Sequence, residues 1–180
     1  MPNGVHRIID PPSLWVQQWA TRIPAAGRVL DVACGGGRHA RFLAAQGYRV
    51  EAVDRDGESL QALAAVANVT TRVADLEGGG WPFGGECFDG VIVTNYLFRP
   101  LFPYLFAALK TGGVLIYETF ALGNEQYGRP RNPDFLLQPG ELLQLAHGRL
   151  EVIAYENLAV GVPRPAMIQR MCAINGAGAA

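Results

Sequence analysis

Cysteine is scarce in this sequence. Cys34, Cys87 and Cys172 are the only three among 180 residues. They are odd in number and lack paired spacing, so neither a disulfide frame nor a cysteine zinc site is expected, and a reducing compartment is implied. His6 and His147 have no partners at metal-ligand spacing, and no metal is assigned. The net charge is −1 with no Lys/Arg block, which removes any electrostatic case for nucleic acid or an anionic membrane. No window approaches roughly 18 consecutive apolar residues, and the opening M-P-N-G-V-H-R has no apolar signal core. The expected location is cytoplasmic. Repeats are absent, and low complexity is confined to the 78–85 loop and the G-A-G-A-A tail, which is expected to be disordered. With 49% apolar and 17% charged residues, the chain has the composition of an ordinary globule, and its length suits one domain spanning 1–180.

The chain is organised around Arg28 to Arg41, R-V-L-D-V-A-C-G-G-G-R-H-A-R. A short buried strand (28–33) ends in an acid and small residues, then three glycines open a helix from Arg38 to Gln46. A strand feeding a helix through glycines lets a ligand lie against bare backbone, at the helix end where free N–H groups gather. Upstream, Ser13 caps a helix carrying Trp15 and Trp19, four apart and so on one face. This 1–24 segment either packs on the core or acts as a lid; the lid is the working assignment. Downstream, strands are expected at 48–54, 70–75, 89–95 and 114–120, with helices at 58–66 and from Pro100 to about Lys110. Residues 121–138 carry prolines and glycines without periodicity and read as a long substrate-facing loop. After a short helix at 139–147, strands at 150–157 and 166–174 are joined by G-V-P-R-P, too short for a crossover, so the pair is antiparallel. The expected fold is α/β: a doubly wound, mostly parallel seven-stranded sheet with a C-terminal antiparallel hairpin over 150–174. Residues 28–120 form its ligand-binding core.

In such sheets ligands sit beyond the carboxyl ends of the strands, where strand order reverses. Strand 1 delivers Asp31, Ala33 and Cys34 with Gly35–Gly37 to that edge. Strand 2 brings Asp54-Arg55, strand 3 Asp75-Leu76, strand 4 Thr94-Asn95-Tyr96 and strand 5 Glu118-Thr119. A carboxylate ending strand 2 suits a ribose, since its oxygens accept from vicinal hydroxyls. Asp54 stands seventeen residues past Gly37, near the roughly 20 expected when one helix and one strand intervene. Asp75 suits the exocyclic amine of an adenine, with Leu76 and Arg55 flanking the ring.

D-V-A-C-G-G-G with Asp54, Asp75 and F-D-G-V-I-V-T-N resembles the class I S-adenosylmethionine-dependent methyltransferases. More narrowly, G-R-H-A-R-F-L-A and the Y-E-T-F, G-N-E and G-R-P segments resemble small bacterial methyltransferases of the tellurite-resistance type. The resemblance implies S-adenosyl-L-methionine as cofactor. Asp31 with Gly35 and Gly37 would hold its methionine part, Asp54 the ribose, and Asp75 with Leu76 the adenine. The backbone of Asn95 would face the methionine.

An NAD-dependent oxidoreductase is the main rival, because Gly35-x-Gly37-x-x-Ala40 fits the dinucleotide fingerprint and Asp54 suits an NAD ribose. Against it stand Asp31, which would repel a pyrophosphate but welcome an ammonium, the terminal hairpin, and Asp75. A non-catalytic S-adenosylmethionine-binding module is the other rival. On the acceptor side the candidates are Tyr96, Arg99, Tyr127, Arg129 and Arg131, with the last two suited to an anionic substrate. No catalytic constellation stands out, and His39 is expected to pack or cap. The remaining chain is too small for a recognition domain, which favours a small-molecule acceptor over protein or nucleic acid.

Overall fold

A computed structural model describes residues 10–176. Residues 1–9 and 177–180, with His6 and most of the expected loose ends, lie outside the described residues. Seven strands form one sheet: β1 (Arg28–Val32), β2 (Arg49–Asp54), β3 (Val69–Val73), β4 (Phe88–Thr94), β5 (Leu109–Phe120), β6 (Glu151–Val160) and β7 (Ala166–Ile174). Their order is β3-β2-β1-β4-β5-β7-β6. The first five run parallel; β7 lies antiparallel between β5 and β6. The expected fold, terminal hairpin included, is what the chain adopts.

Alternation along the strands divides the core between the two faces. Leu30, Val32, Val91, Val93, Leu115 and Tyr117 face helices α4 (Phe102–Ala107) and α5 (Glu141–Ala146), whose Phe102, Leu105, Phe106 and Leu142 fill that layer. Val29, Val50, Ile92, Val114 and Ile116 face α1 (Leu14–Trp19) and α2 (Arg38–Ala45) through Trp15, Val16, Ala40 and Leu43. Across β1, β2 and β3, Arg28 and Arg72 both pair with Glu51 and Glu86, and their guanidinium groups lie over Phe88 and Phe83 respectively. This network ties the glycine-rich loop after β3 back to the sheet.

Several boundaries differ from the expected ones. The 58–66 helix is α-helical only as α3 (Gly57–Gln61); beyond it the chain continues on i→i+3 bonds from Leu63 N–H to Leu60 and from Val66 N–H to Leu63. Leu60, Leu63 and Val66 recur every third residue, which is the period of a 3₁₀ turn, and Ala64 is exposed. β3 stops at Val73, so Asp75 sits in the following turn. β5 begins at Leu109, pairing with Phe88 before a kink at Thr111–Gly113, and α4 ends at Ala107. Residues 121–138 contain two 3₁₀ turns, Asn124–Gln126 and Pro133–Phe135, and bury Leu136 and Leu137. Buried Asn124 holds this segment closed: its side chain donates to the Pro130 carbonyl and accepts from the Met167 N–H.

The N-terminal helix is a core element and not a free lid. Trp15 is 2% exposed and its ring lies under the Arg170 guanidinium at 4.6 Å. Ser13 caps the helix, donates its backbone N–H to His39 Nε2 and its hydroxyl to Glu118 Oε1, and so ties α1 to α2 and β5.

Gly37, which opens α2, has φ +73 and a Cβ there would collide with the buried Leu63 side chain. Gly37→Ala combines left-handed strain with overpacking, about 2–5 kcal/mol together. Urea denaturation of Gly37→Ala is expected to show that loss; a change below about 0.5 kcal/mol, the ordinary surface value, would mean the turn relaxes freely.

Candidate functional site

Strand order runs from β1 outward through β2 to β3 in one direction and through β4 to β5 in the other. The helix leaving β1 packs on one face and that leaving β4 on the opposite face, so a crevice opens between their carboxyl ends. Both rims carry left-handed non-glycine residues, Ala33 at φ 51 and Asn95 at φ 55. Such backbone is rare and clusters where function requires it. It is held in place across the sheet: Asn95 N–H donates to the Glu118 carbonyl at 2.9 Å, and the buried Tyr117 hydroxyl donates to the Tyr96 carbonyl at 2.8 Å.

Two cavities adjoin at this edge. The larger, of about 360 Å³, is lined by Ala33, Asp54, Arg55, Ala74, Asp75, Leu76, Glu77, Tyr96 and Phe135. The smaller, of about 220 Å³, is lined by Glu77, Asn95, Tyr96, Leu97, Thr119, Phe120, Pro130 and Phe135. Glu77, Tyr96 and Phe135 belong to both.

The three strand-end acids occupy distinct environments. Asp54 Oδ2 accepts from Gly35 N–H at 2.7 Å and Oδ1 from Asp56 N–H at 2.9 Å, which pins the glycine turn against the end of β2. Asp75 accepts from Glu77 N–H at 3.0 Å; that N–H and Gly78 N–H hold its carboxyl below the usual range, with Arg55 adding to the effect. Asp31 is 1% exposed, and its carboxylate makes no well-formed hydrogen bond among the described residues, the Ala40 N–H approaching it only loosely. Burial pushes its pKa up to about 7; the Ala40 N–H and Arg38 pull the other way and Asp54 adds repulsion. An orphaned buried carboxylate fits a ligand that brings a cationic donor, as the ammonium of a methionine moiety would.

Of the other expected cofactor residues, Ala33, Arg55 and Leu76 line the larger cavity and Asn95 the smaller, while Asp31, Cys34, Gly35 and Gly37 line neither. Cys34 packs in the core, where burial pushes its thiol pKa up, and its backbone N–H donates to the Val53 carbonyl. Its side chain is therefore placed for packing and not for ligand contact.

On the acceptor side only Tyr96 reaches a cavity. The Arg99 guanidinium is committed to both oxygens of Glu141, at 2.7 and 3.0 Å, and to the Asp134 and Leu136 carbonyls. It is a strut for the 121–138 segment rather than a substrate anchor. Tyr127, Arg129 and Arg131 are exposed and line neither cavity; Arg131 donates to the Gly128 carbonyl. That segment instead contributes Pro130 and Phe135. The sequence reading overlooked those two residues, together with Glu77, Leu97 and Phe120. Glu77 had a signal, since it directly follows Asp75-Leu76. His39 is buried and held neutral, its pKa lowered to about 3 by burial and by Arg38. With Nε2 accepting from Ser13 N–H, Nδ1 carries the proton toward Thr94 Oγ1 at 3.2 Å.

Comparison with known proteins agrees with this geometry. Residues 29–113 match a methyltransferase-domain family. That match covers just under half of the chain, and the fold around it is similar to that of solved S-adenosylmethionine-dependent methyltransferases. The chain is 33% identical over 137 residues to a protein-L-isoaspartate O-methyltransferase of Chlorobaculum tepidum, an alignment covering 70% of this chain and 61% of that protein. Among solved structures it is similar to TehB of Haemophilus influenzae, with a TM-score of 0.74 and 20% identity over 89% of this chain and 61% of TehB. The glycopeptide N-methyltransferase MtfA, solved with S-adenosylhomocysteine, has a TM-score of 0.63 at 19% identity, over 89% of this chain and 88% of MtfA. The chain thus spans about three-fifths of the isoaspartate enzyme and of TehB. No helix among the described residues is long and apolar enough to cross a membrane.

The Asp31 environment has a consequence for stability. A folded-state pKa near 7 against an unfolded value of about 3.9 means the native state holds the extra proton between those limits. Stability from this group therefore falls as pH rises from about 4 through 7, whereas the His39 contribution falls as pH drops from about 6.5 toward 3. Asp31→Asn is expected to raise the melting temperature of the ligand-free protein at pH 8, with the gain shrinking toward pH 4. A variant less stable than the parent at pH 8 would show that Asp31 is satisfied in the native state.

Proposed function

We propose that this protein transfers a methyl group from S-adenosyl-L-methionine to a small-molecule acceptor. The observation that carries the reading is the pair of cavities that share Glu77, Tyr96 and Phe135 at the strand-order reversal. The larger takes the nucleoside and the smaller the acceptor.

When bound, the cofactor supplies a sulfonium-activated methyl group, so the protein has more need to align and desolvate than to activate. Asp54 accepts from the ribose hydroxyls while its hold on Gly35 N–H fixes the turn around the ligand. Asp75, kept ionised by its own loop, accepts from the adenine amine, with Leu76 and Arg55 at the ring faces. Asp31 takes the ammonium; its unpaired oxygens make that contact unusually favourable. Fixing two reactants in adjoining cavities can account for roughly 7–11 kcal/mol of barrier in favourable systems. The acceptor cavity, about 220 Å³, lies below the roughly 300–1,000 Å³ of drug-sized pockets, which supports a compact acceptor over a protein or nucleic acid. Residues 121–138 help exclude water through Pro130 and Phe135.

Calorimetry with S-adenosylhomocysteine tests the assignment. Asp54→Ala is expected to weaken binding at least tenfold, or about 1.4 kcal/mol. Unchanged affinity would remove Asp54 from the site, and a response to NAD with none to S-adenosylhomocysteine would overturn the reading.

A further inference from the structure

The smaller cavity has a carboxylate and no cation in its wall. Glu77 lines it, whereas no arginine or lysine does. The acceptor-side arginines stand elsewhere: Arg129 and Arg131, expected to grip an anion, face solvent, and Arg99 is locked on Glu141. The rest of the wall is aromatic or aliphatic (Leu97, Phe120, Pro130, Phe135) apart from Asn95, Thr119 and the Tyr96 phenol. An anionic acceptor entering this space would meet Glu77 in its own wall, while Arg55, the one cation lining either cavity, stands in the larger.

Glu77 and Tyr96 also form a unit. Both line both cavities, so they stand where the two ligands would meet. Burial, with the Glu77 and Asp75 charges adding to it and Arg55 opposing, pushes the phenol pKa up, so Tyr96 stays protonated beside Glu77. Its backbone is fixed by the Tyr117 hydroxyl and by the left-handed turn at Asn95. Glu77 is anchored through its own N–H to Asp75. The exposed Glu77 side chain lines the junction of the two cavities, where its carboxylate can accept a proton.

We infer that the acceptor is a small neutral molecule bearing an O–H or N–H group, and that Glu77 takes its proton while Tyr96 positions the carboxylate. The acceptor's O–H or N–H bond breaks, the electron pair remains on the heteroatom, and the proton ends on a Glu77 carboxylate oxygen. This rests on the assignment of the two cavities made above. It excludes oxyanions as acceptors, and it gives a proton acceptor to a site whose buried histidine, His39, is held neutral between Ser13 and Thr94 and lines neither cavity.

The test uses the full chain saturated with S-adenosylhomocysteine and four probes: phenol, aniline, benzoate and selenite. Calorimetry is expected to show phenol and aniline binding, with benzoate and selenite at least tenfold weaker. In Glu77→Gln the penalty on benzoate relative to phenol should fall at least threefold. In turnover with S-adenosylmethionine and phenol or aniline, Glu77→Gln should lower kcat roughly 10²–10⁴-fold and abolish the acidic limb of the pH profile. Tyr96→Phe should lower kcat by less and keep that limb. Benzoate or selenite binding as tightly as phenol, failure of all four probes, or a Glu77→Gln enzyme with parental kcat would each overturn the inference. If S-adenosylhomocysteine itself fails to bind, the earlier reading falls and this one with it.

Discussion

The reversal of strand order between β1 and β4 is the constraint from which the rest of the site follows. Because α2 leaves β1 toward one face and α4 leaves β4 toward the other, no connection covers the gap between the two strand ends. Backbone must still leave the sheet there in tight space, and it does so through Ala33 and Asn95 in left-handed conformations and through the Gly35–Gly37 turn. One carboxylate, Asp54, stabilises that exit by accepting from Gly35 N–H across from β2. The same carboxylate lines the larger cavity, so the group that shapes the turn is also offered to a ligand.

The site is supported from a distance by polar ties between elements far apart in sequence. Across β1, β2 and β3, Arg28, Arg72, Glu51 and Glu86 balance two positive against two negative charges and hold the loop that carries Leu76 and Glu77. Beside the crevice, Ser13 links α1 to His39 and to Glu118, which in turn pairs with Arg170 over Trp15. On the remaining side, Asn124 and Arg99 close the 121–138 segment on itself and onto α5. Each tie satisfies a group that burial would otherwise leave unpaired. Asp31 departs from that pattern: it is charged in water, buried here, and without a well-formed hydrogen bond among the described residues.

How much of this the sequence discloses depends on whether the information is local. Strand ends are local: alternation, the glycine turn and the Asp54 spacing mark the sheet, the hairpin and the nucleoside side. Periods of three and four blur over a few residues, which is why 58–66 reads as a helix although Leu60, Leu63 and Val66 follow a 3₁₀ turn. The acceptor side is non-local. Arg99 looks available in the sequence because Glu141 lies 42 residues away, and Arg129 and Arg131 look aimed at a ligand until the loop closes around Asn124 and leaves them outside. Glu77 escapes notice for the converse reason, since only the approach of Tyr96 from β4 gives it a role. Trp15 and Trp19 share a face as expected, and Arg170 on β7 decides that this face is core.

A crystal structure of the protein with S-adenosylhomocysteine tests the central claim most directly. The nucleoside should occupy the larger cavity with its ribose hydroxyls on Asp54, its amino group reaching Asp31, and its sulfur at the junction bounded by Glu77, Tyr96 and Phe135. A ligand seated away from the β1–β4 gap, or one whose sulfur points away from the smaller cavity, would contradict the account.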